Sequence, residues 1–375
     1  MQVRGFICGS CNNNAGRSWD AALASQLHPL SLLFSIRRRR GPIPGLEVAT
    51  TAGERVVMKP DGSFSPIHPT YSMERTEAGI KIGIRARSLR EARKMLSGVK
   101  RKYPQIDSDR ILAGAQISTT PLQGAVHHQL AFGGEIAGRS IVKSTLALAH
   151  LAGVPIDLCH DALSYLRDPA RSPCFGYYYA SDLLRARPVD MPLHCVSVEA
   201  NPETGLILGY AEYFGVRRVV VCLGRTYRGD RAEKTYALDP RTGQALDLSV
   251  RLEFGASEIA AIFDDRMAPG GAIEEAFAAV MPGALRRRFE MQRERAAKQA
   301  AEYAFANCGA RLGEILTEEH FKKFVGLFTE RMVQFLLRSA GSWPAVPASD
   351  DLPPAPGSDG KSDVAGLPAM RARLR

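Results

Sequence analysis

The chain has 375 residues, 45% hydrophobic and 23% charged, a balance that suits a soluble globular protein with a sizeable core. A net charge of +10 and a pI near 9.4 point to a polyanionic partner, nucleic acid first, without specifying which kind. The longest apolar stretches, such as 30–36, are too short to span a bilayer, which excludes the membrane class; no signal peptide is visible, and seven scattered cysteines argue for a reducing cytoplasm over a disulfide framework.

Of those seven, only Cys8 and Cys11 have ligand-like spacing. Phe6-Ile7 predicts a short strand, Gly9-Ser10 a tight turn, and Trp19, Ala22, Leu23 and Leu27 one side of a helix: strand, knuckle, helix. Such a knuckle can clamp zinc, because both thiolates point into one hollow about 2.3 Å from the metal. A structural zinc takes four ligands, however, and this stretch offers two.

The run Cys8-Gly-Ser-Cys11-Asn12-Asn13, with Gly16-Arg17 and Asp20 behind it, resembles the second half of the zinc-stabilised HNH endonucleases, whose knuckle reads Cys-x-x-Cys-Asn-Asn. In that family a first half precedes the knuckle, with another Cys-x-x-Cys and a Glu-His-x-x-Pro whose histidine is the general base. The resemblance implies metal-dependent hydrolysis of phosphodiesters, most readily in DNA, with magnesium or another divalent ion at the reacting phosphate. It implies a structural zinc on Cys8 and Cys11, of which this stretch holds half the ligand set. One of Asn12, Asn13 or Asn14 would match the family's helix-start position, and Arg17 would meet nucleic acid. The general base has no counterpart here. Either Met1 is a late start or the chain is a decayed relative, and residues 1–375 are expected to be inactive. Two other readings of the knuckle stay open: a thiol-disulfide pair at a helix start, against which Asn12–Asn14 and Gly16 interrupt the chain, and two ordinary thiols without metal. A basic nucleic-acid-binding protein without catalysis is the alternative for the whole chain.

Next come Arg37, Arg38, Arg39 and Arg40, read equally as a solvated helix end and as a phosphate clamp, since arginine forks match phosphate oxygens. Strands follow, with Pro60-Asp61-Gly62 as a hairpin turn and Ile80, Ile82 and Ile84 alternating with polar residues. A helix over 89–96, ending at Gly98, begins a second basic stretch through Lys102, read as a solvated face. His127-His128 point to opposite faces of a strand and do not suggest one metal. Helical spacing runs from Arg139 to Ala152 and again over 158–166, before the tyrosines 177–179, read as sheet residues.

Strands 193–198, 206–214 and 219–223 predict a meander containing His194, Cys195 and Cys222, read as a neutral histidine and buried thiols of the strands; the other reading has them complete the zinc from afar, His194 and Cys195 first. The turn 239–243 joins two further strands. Arg286–Arg288 open a long helix through Asn307, with Glu294 and Lys298 an i,i+4 pair. Thr317 caps another, whose stripe is Phe321, Phe324, Val325, Phe328, Met332, Phe335 and Leu336. The expected fold is α+β: a remnant of a ββα-metal knuckle module over 1–40, a mixed antiparallel-sheet and helix domain over 41–255, a helical region over 256–341 and a disordered tail over 342–375.

Overall fold

The computed structural model of the chain describes residues 3, 5–36, 41, 43–76, 79–113, 122, 124–311, 313–340 and 370–373. It is an α+β fold in two compact units: Met1–Arg37 with Leu130–Met370, and Arg38–Gln129 with Arg371–Arg375. The division falls inside the stretch 41–255. Most of the tail 342–375 lies outside the described residues; within it Met370–Arg373 forms a strand.

The knuckle differs from its expectation. Phe6 and Ile7 form a bend, not a strand, and Phe6 packs its ring 5.9 Å from that of His150. A strand needs a pairing neighbour, and none of the described strands pairs there. The helix begins at once: α1 (Gly9–Ala15) passes through a π turn (Gly16–Asp20) into α2 (Ala21–Leu33). Asparagines and glycine cost helix propensity. That cost is offset downstream, where Leu23, Leu27, Leu30 and Leu33 are buried along one face and Phe34 stacks on Phe214 at 5.5 Å.

In the second unit, β1 (Leu46–Thr50), β2 (Arg55–Met58) and β3 (Phe64–Pro66) form an antiparallel meander. The expected hairpin turn is present: Gly62 takes φ +81°, and the Asp61 carboxylate accepts from the Ser63 N–H at 2.9 Å. β4 (Thr70–Thr76) and β5 (Gly79–Arg85) pair separately. α3 (Leu89–Lys102) is capped by Ser88, whose hydroxyl accepts from the Glu91 N–H at 3.2 Å. It does not stop at Gly98, which lacks the positive φ of a helix-ending glycine. α4 (Ser108–Ala113) and β6 (Val126–Leu130) follow, β6 on the free side of β1.

From Leu130 the first unit resumes with α5 (Glu135–Leu151), α6 (His160–Arg167), β7 (Phe175–Tyr177) and β8 (Leu184–Arg185). The predicted meander is β9 (His194–Asn201), β10 (Leu206–Tyr213) and β11 (Arg217–Gly224), extended by β12 (Ala232–Leu238) and β13 (Ala245–Leu246). The sheet order is β13-β12-β9-β10-β11-β7, all antiparallel. One face receives α5 so closely that a Cβ on Gly209 would lie 2.8 Å from Thr145. The other buries Leu206, Leu208, Tyr210 and Cys222 under Leu252, Phe254, Ile259 and Ile262, the last two from α7 (Ala256–Phe263), which follows the short β14 (Ser249–Val250).

α8 runs from Ala272 to Asn307, starting well before Arg286 and passing through Pro282. Packing overrides the proline here. At Gly283 the helix approaches Asp190 so tightly that a Cβ would lie 2.4 Å from its carbonyl oxygen, and Arg286 pairs with the Asp190 carboxylate. Lys298 turns to Glu302 (4.0 Å) instead of Glu294. α9 (Glu318–Ala340) starts at the Thr317 cap and packs Phe324 against Phe305 at 4.5 Å. Its predicted stripe is only half covered: Phe321, Val325 and Leu336 stay exposed.

Candidate functional site

Cys8 is the N-cap of α1, extended at φ −66° and ψ 155°, and its sulfur accepts the Cys11 N–H at 3.3 Å. One turn on, the Asn12 N–H reaches the Cys8 carbonyl at 2.9 Å. Both thiols are exposed and free. The Cys11 backbone N–H stabilises a thiolate on Cys8 and lowers its pKa, while the hydrogen bond to Cys8 and its charge raise that of Cys11. The two thiols of the pair therefore shift in opposite directions.

Asn12, Asn13 and Asn14 follow on consecutive positions of α1, all exposed. Arg17 is exposed in the π turn. Asp20 is different: its carboxylate accepts from the Ser140 hydroxyl and the Lys143 ammonium, both at 2.6 Å, and so fastens the helical run to α5. Gln26, two turns on, holds it a second time, donating to the Gly133 carbonyl at 2.6 Å and accepting from Arg217 at 2.6 Å. Arg217 is fully buried, its guanidinium over the rings of Phe132 and Tyr177. The motif residues Cys8, Cys11, Asn12–Asn14 and Arg17 therefore share one helical run anchored at its far end. Arg37, Arg38, Arg39 and Arg40 lie outside the described residues.

The distant residues do not join the thiols. His194, on β9, sets its ring 4.5 Å from Phe214 at 89°, and its Nε2 is buried without a hydrogen-bond partner. Burial lowers its pKa to about 4, and raises that of Cys195 to about 12. Among the described residues no group of three or more histidines, cysteines, aspartates or glutamates is placed to hold a metal. Two of the four donors of a structural zinc are present in the thiol pair, and the described residues do not supply the rest.

Sequence reasoning missed a buried charge cluster on the sheet's other face. Arg187 donates to both oxygens of Glu212 at 2.7 and 3.0 Å and to Asp182 at 2.8 Å, and the Tyr210 hydroxyl donates to Glu212 at 2.7 Å. Glu212 has no exposed side-chain surface. Burial alone would raise the Asp182 carboxyl, but its hydrogen bonds to Arg187 hold it below the ordinary range. The 25-residue separation of Arg187 and Glu212 left no local signal. Among the described residues no helix is long and apolar enough to cross a membrane. Comparison with known families, curated proteins and solved structures finds no match to this chain.

Proposed function

We propose that the chain is an HNH-type, endonuclease-like protein in which Cys8 and Cys11 form half of a structural zinc site. The observation that carries this reading is the shared first helical turn: two exposed thiols, three residues apart, with the asparagines and Arg17 on the same run. Zinc closes such a pair only with two further donors. On this reading Gly9–Leu33 is the helix of a ββα-metal module, DNA is the partner, and a reducing cytoplasm keeps the thiols free.

The test is metal content followed by nicking. Residues 1–375 should hold less than one zinc per chain, lost in Cys8→Ser. Joining a segment with Cys-x-x-Cys and Glu-His-x-x-Pro ahead of Cys8 should raise zinc to one per chain. The same extension should start magnesium-dependent nicking of supercoiled plasmid, abolished when that histidine becomes alanine. An extended chain that fills with zinc and never nicks would overturn the nuclease reading.

A second reading has its own observation. The helix starts immediately after Cys8, which removes the interruption that argued against a thiol-disulfide pair. With glutathione disulfide as oxidant, two exchanges would form a Cys8–Cys11 disulfide and release two glutathiones, each leaving thiolate taking up one of the two cysteine protons. Quantitative formation of that bond at a glutathione ratio that leaves the zinc-loaded chain reduced favours this reading.

A further inference from the structure

Charge is divided unevenly along the chain. Residues 38–129 carry 16 lysines and arginines against 8 acidic residues, and so hold +8 of the net +10. α3 concentrates that excess. Its six cations, Arg90, Arg93, Lys94, Lys100, Arg101 and Lys102, share the helix with a single acid, Glu91. Arg87 already holds that glutamate through hydrogen bonds of 2.5 and 3.1 Å. None of the six forms a salt bridge among the described residues.

The helix sorts them by phase. At about 100° per residue, Arg90, Arg93, Lys94, Lys100 and Arg101 fall on one arc of about 120°. Ala92, Met95, Leu96 and Val99 take the opposite side, where Leu96 is 2% exposed. All five cations of the arc are exposed, and from Arg90 to Arg101 the stripe runs about 16 Å.

We propose that this face of α3 is a docking surface for the phosphate backbone of nucleic acid. Duplex DNA carries about one charge per 1.7 Å of axis, so each cation on the stripe has a phosphate within reach. Arginine forks grip such oxygens in pairs, and the Ser88 cap keeps the stripe on a formed helix. The competing occupant is an anionic membrane. A helix that lies on a membrane needs its apolar face free to enter the acyl boundary, and the apolar side of α3 is turned inward at Leu96. The charge pattern without a free apolar face selects nucleic acid. The proposal stands on α3 and not on the thiol pair, so it holds whatever Cys8 and Cys11 bind.

The experiment is anisotropy of a labelled DNA duplex, and of its single strand, titrated with the full chain at several salt concentrations. Replacing Arg90, Arg93, Lys94 and Arg101 together by alanine should flatten the slope of log affinity against log salt by about 0.9 per lost contact, or about 3.6 in all. Over a fourfold range of salt that is about a hundredfold difference in the loss of affinity. The variant Arg90→Lys/Arg93→Lys/Arg101→Lys should keep the slope. The single Arg93→Ala should lower it by about 0.9, which keeps the test alive if the quadruple variant misfolds. An unchanged slope in folded alanine variants overturns the proposal. So does phosphatidylserine-vesicle binding that vanishes in those variants while duplex binding persists.

Discussion

At the N-terminal helix Cys8 and Cys11 stand in water; the other five, Cys159, Cys174, Cys195, Cys222 and Cys308, are at most 7% exposed. The residue type is the same, and only Cys8 shifts downward. A backbone N–H pointed at sulfur lowers the Cys8 pKa, whereas burial drives Cys159, Cys195 and Cys222 to about 12 and Cys174 higher still. A thiolate must be solvated by something, either water or a donor group. The helix start offers both, whereas at Cys174 and Cys222 burial outweighs the backbone hydrogen bonds present. The comparison teaches that position relative to backbone donors, more than cysteine count, decides which thiols are available for chemistry.

The largest expected effect tests that division directly. Under native conditions iodoacetamide should modify Cys8 first and Cys11 next. The five buried thiols should react at least about a thousandfold more slowly, since they must wait for unfolding. Peptide mass mapping over time reads this, and parallel labelling of all seven would break the comparison.

The next effect sharpens the buried side. Arg187→Ala removes two hydrogen bonds from the buried Glu212 carboxylate and leaves it Tyr210, and Arg218 at 3.5 Å, which should cost up to about 3–5 kcal/mol in urea denaturation. Replacing Arg187 and Glu212 together by methionine should restore part of that, because a buried ion pair then leaves the interior while Arg218 loses its carboxylate.

A smaller effect concerns His194. Its folded pKa of about 4 lies below the unfolded value of 6.5, so the unfolded chain takes up the proton first as pH falls. Stability is complete above pH 6.5 and should drop by about 3 kcal/mol as pH falls to 4. His194→Phe should flatten that window in unfolding curves measured across it.

The sheet was legible because its strands announce themselves locally. Apolar runs at 193–198, 206–214 and 219–223 sit between turn residues, and the structure places β9, β10 and β11 there. The Asp61-Gly62 turn and the Thr317 cap were legible for the same reason, each resting on neighbours a few residues apart. The knuckle was misread because asparagines and glycine argue locally against helix, while the buried leucines that sustain it lie a turn or more downstream. The start of α8 was read at Arg286, whereas the helix begins at Ala272. Of the candidate site, the thiol pair was visible from spacing alone. The anchoring of its helix was not, because Asp20 meets Ser140 and Lys143 more than a hundred residues away.

An α-helix advances about 100° per residue, and the π turn Gly16–Asp20 is one residue wider than an α turn. Asp20 is held at α5, so this surplus residue sets the bearing at which the two sulfurs leave the helix axis. Without it they would emerge about 100° further round, toward a different neighbour. The backbone therefore aims the pair, and any group that meets both sulfurs has to approach along that azimuth.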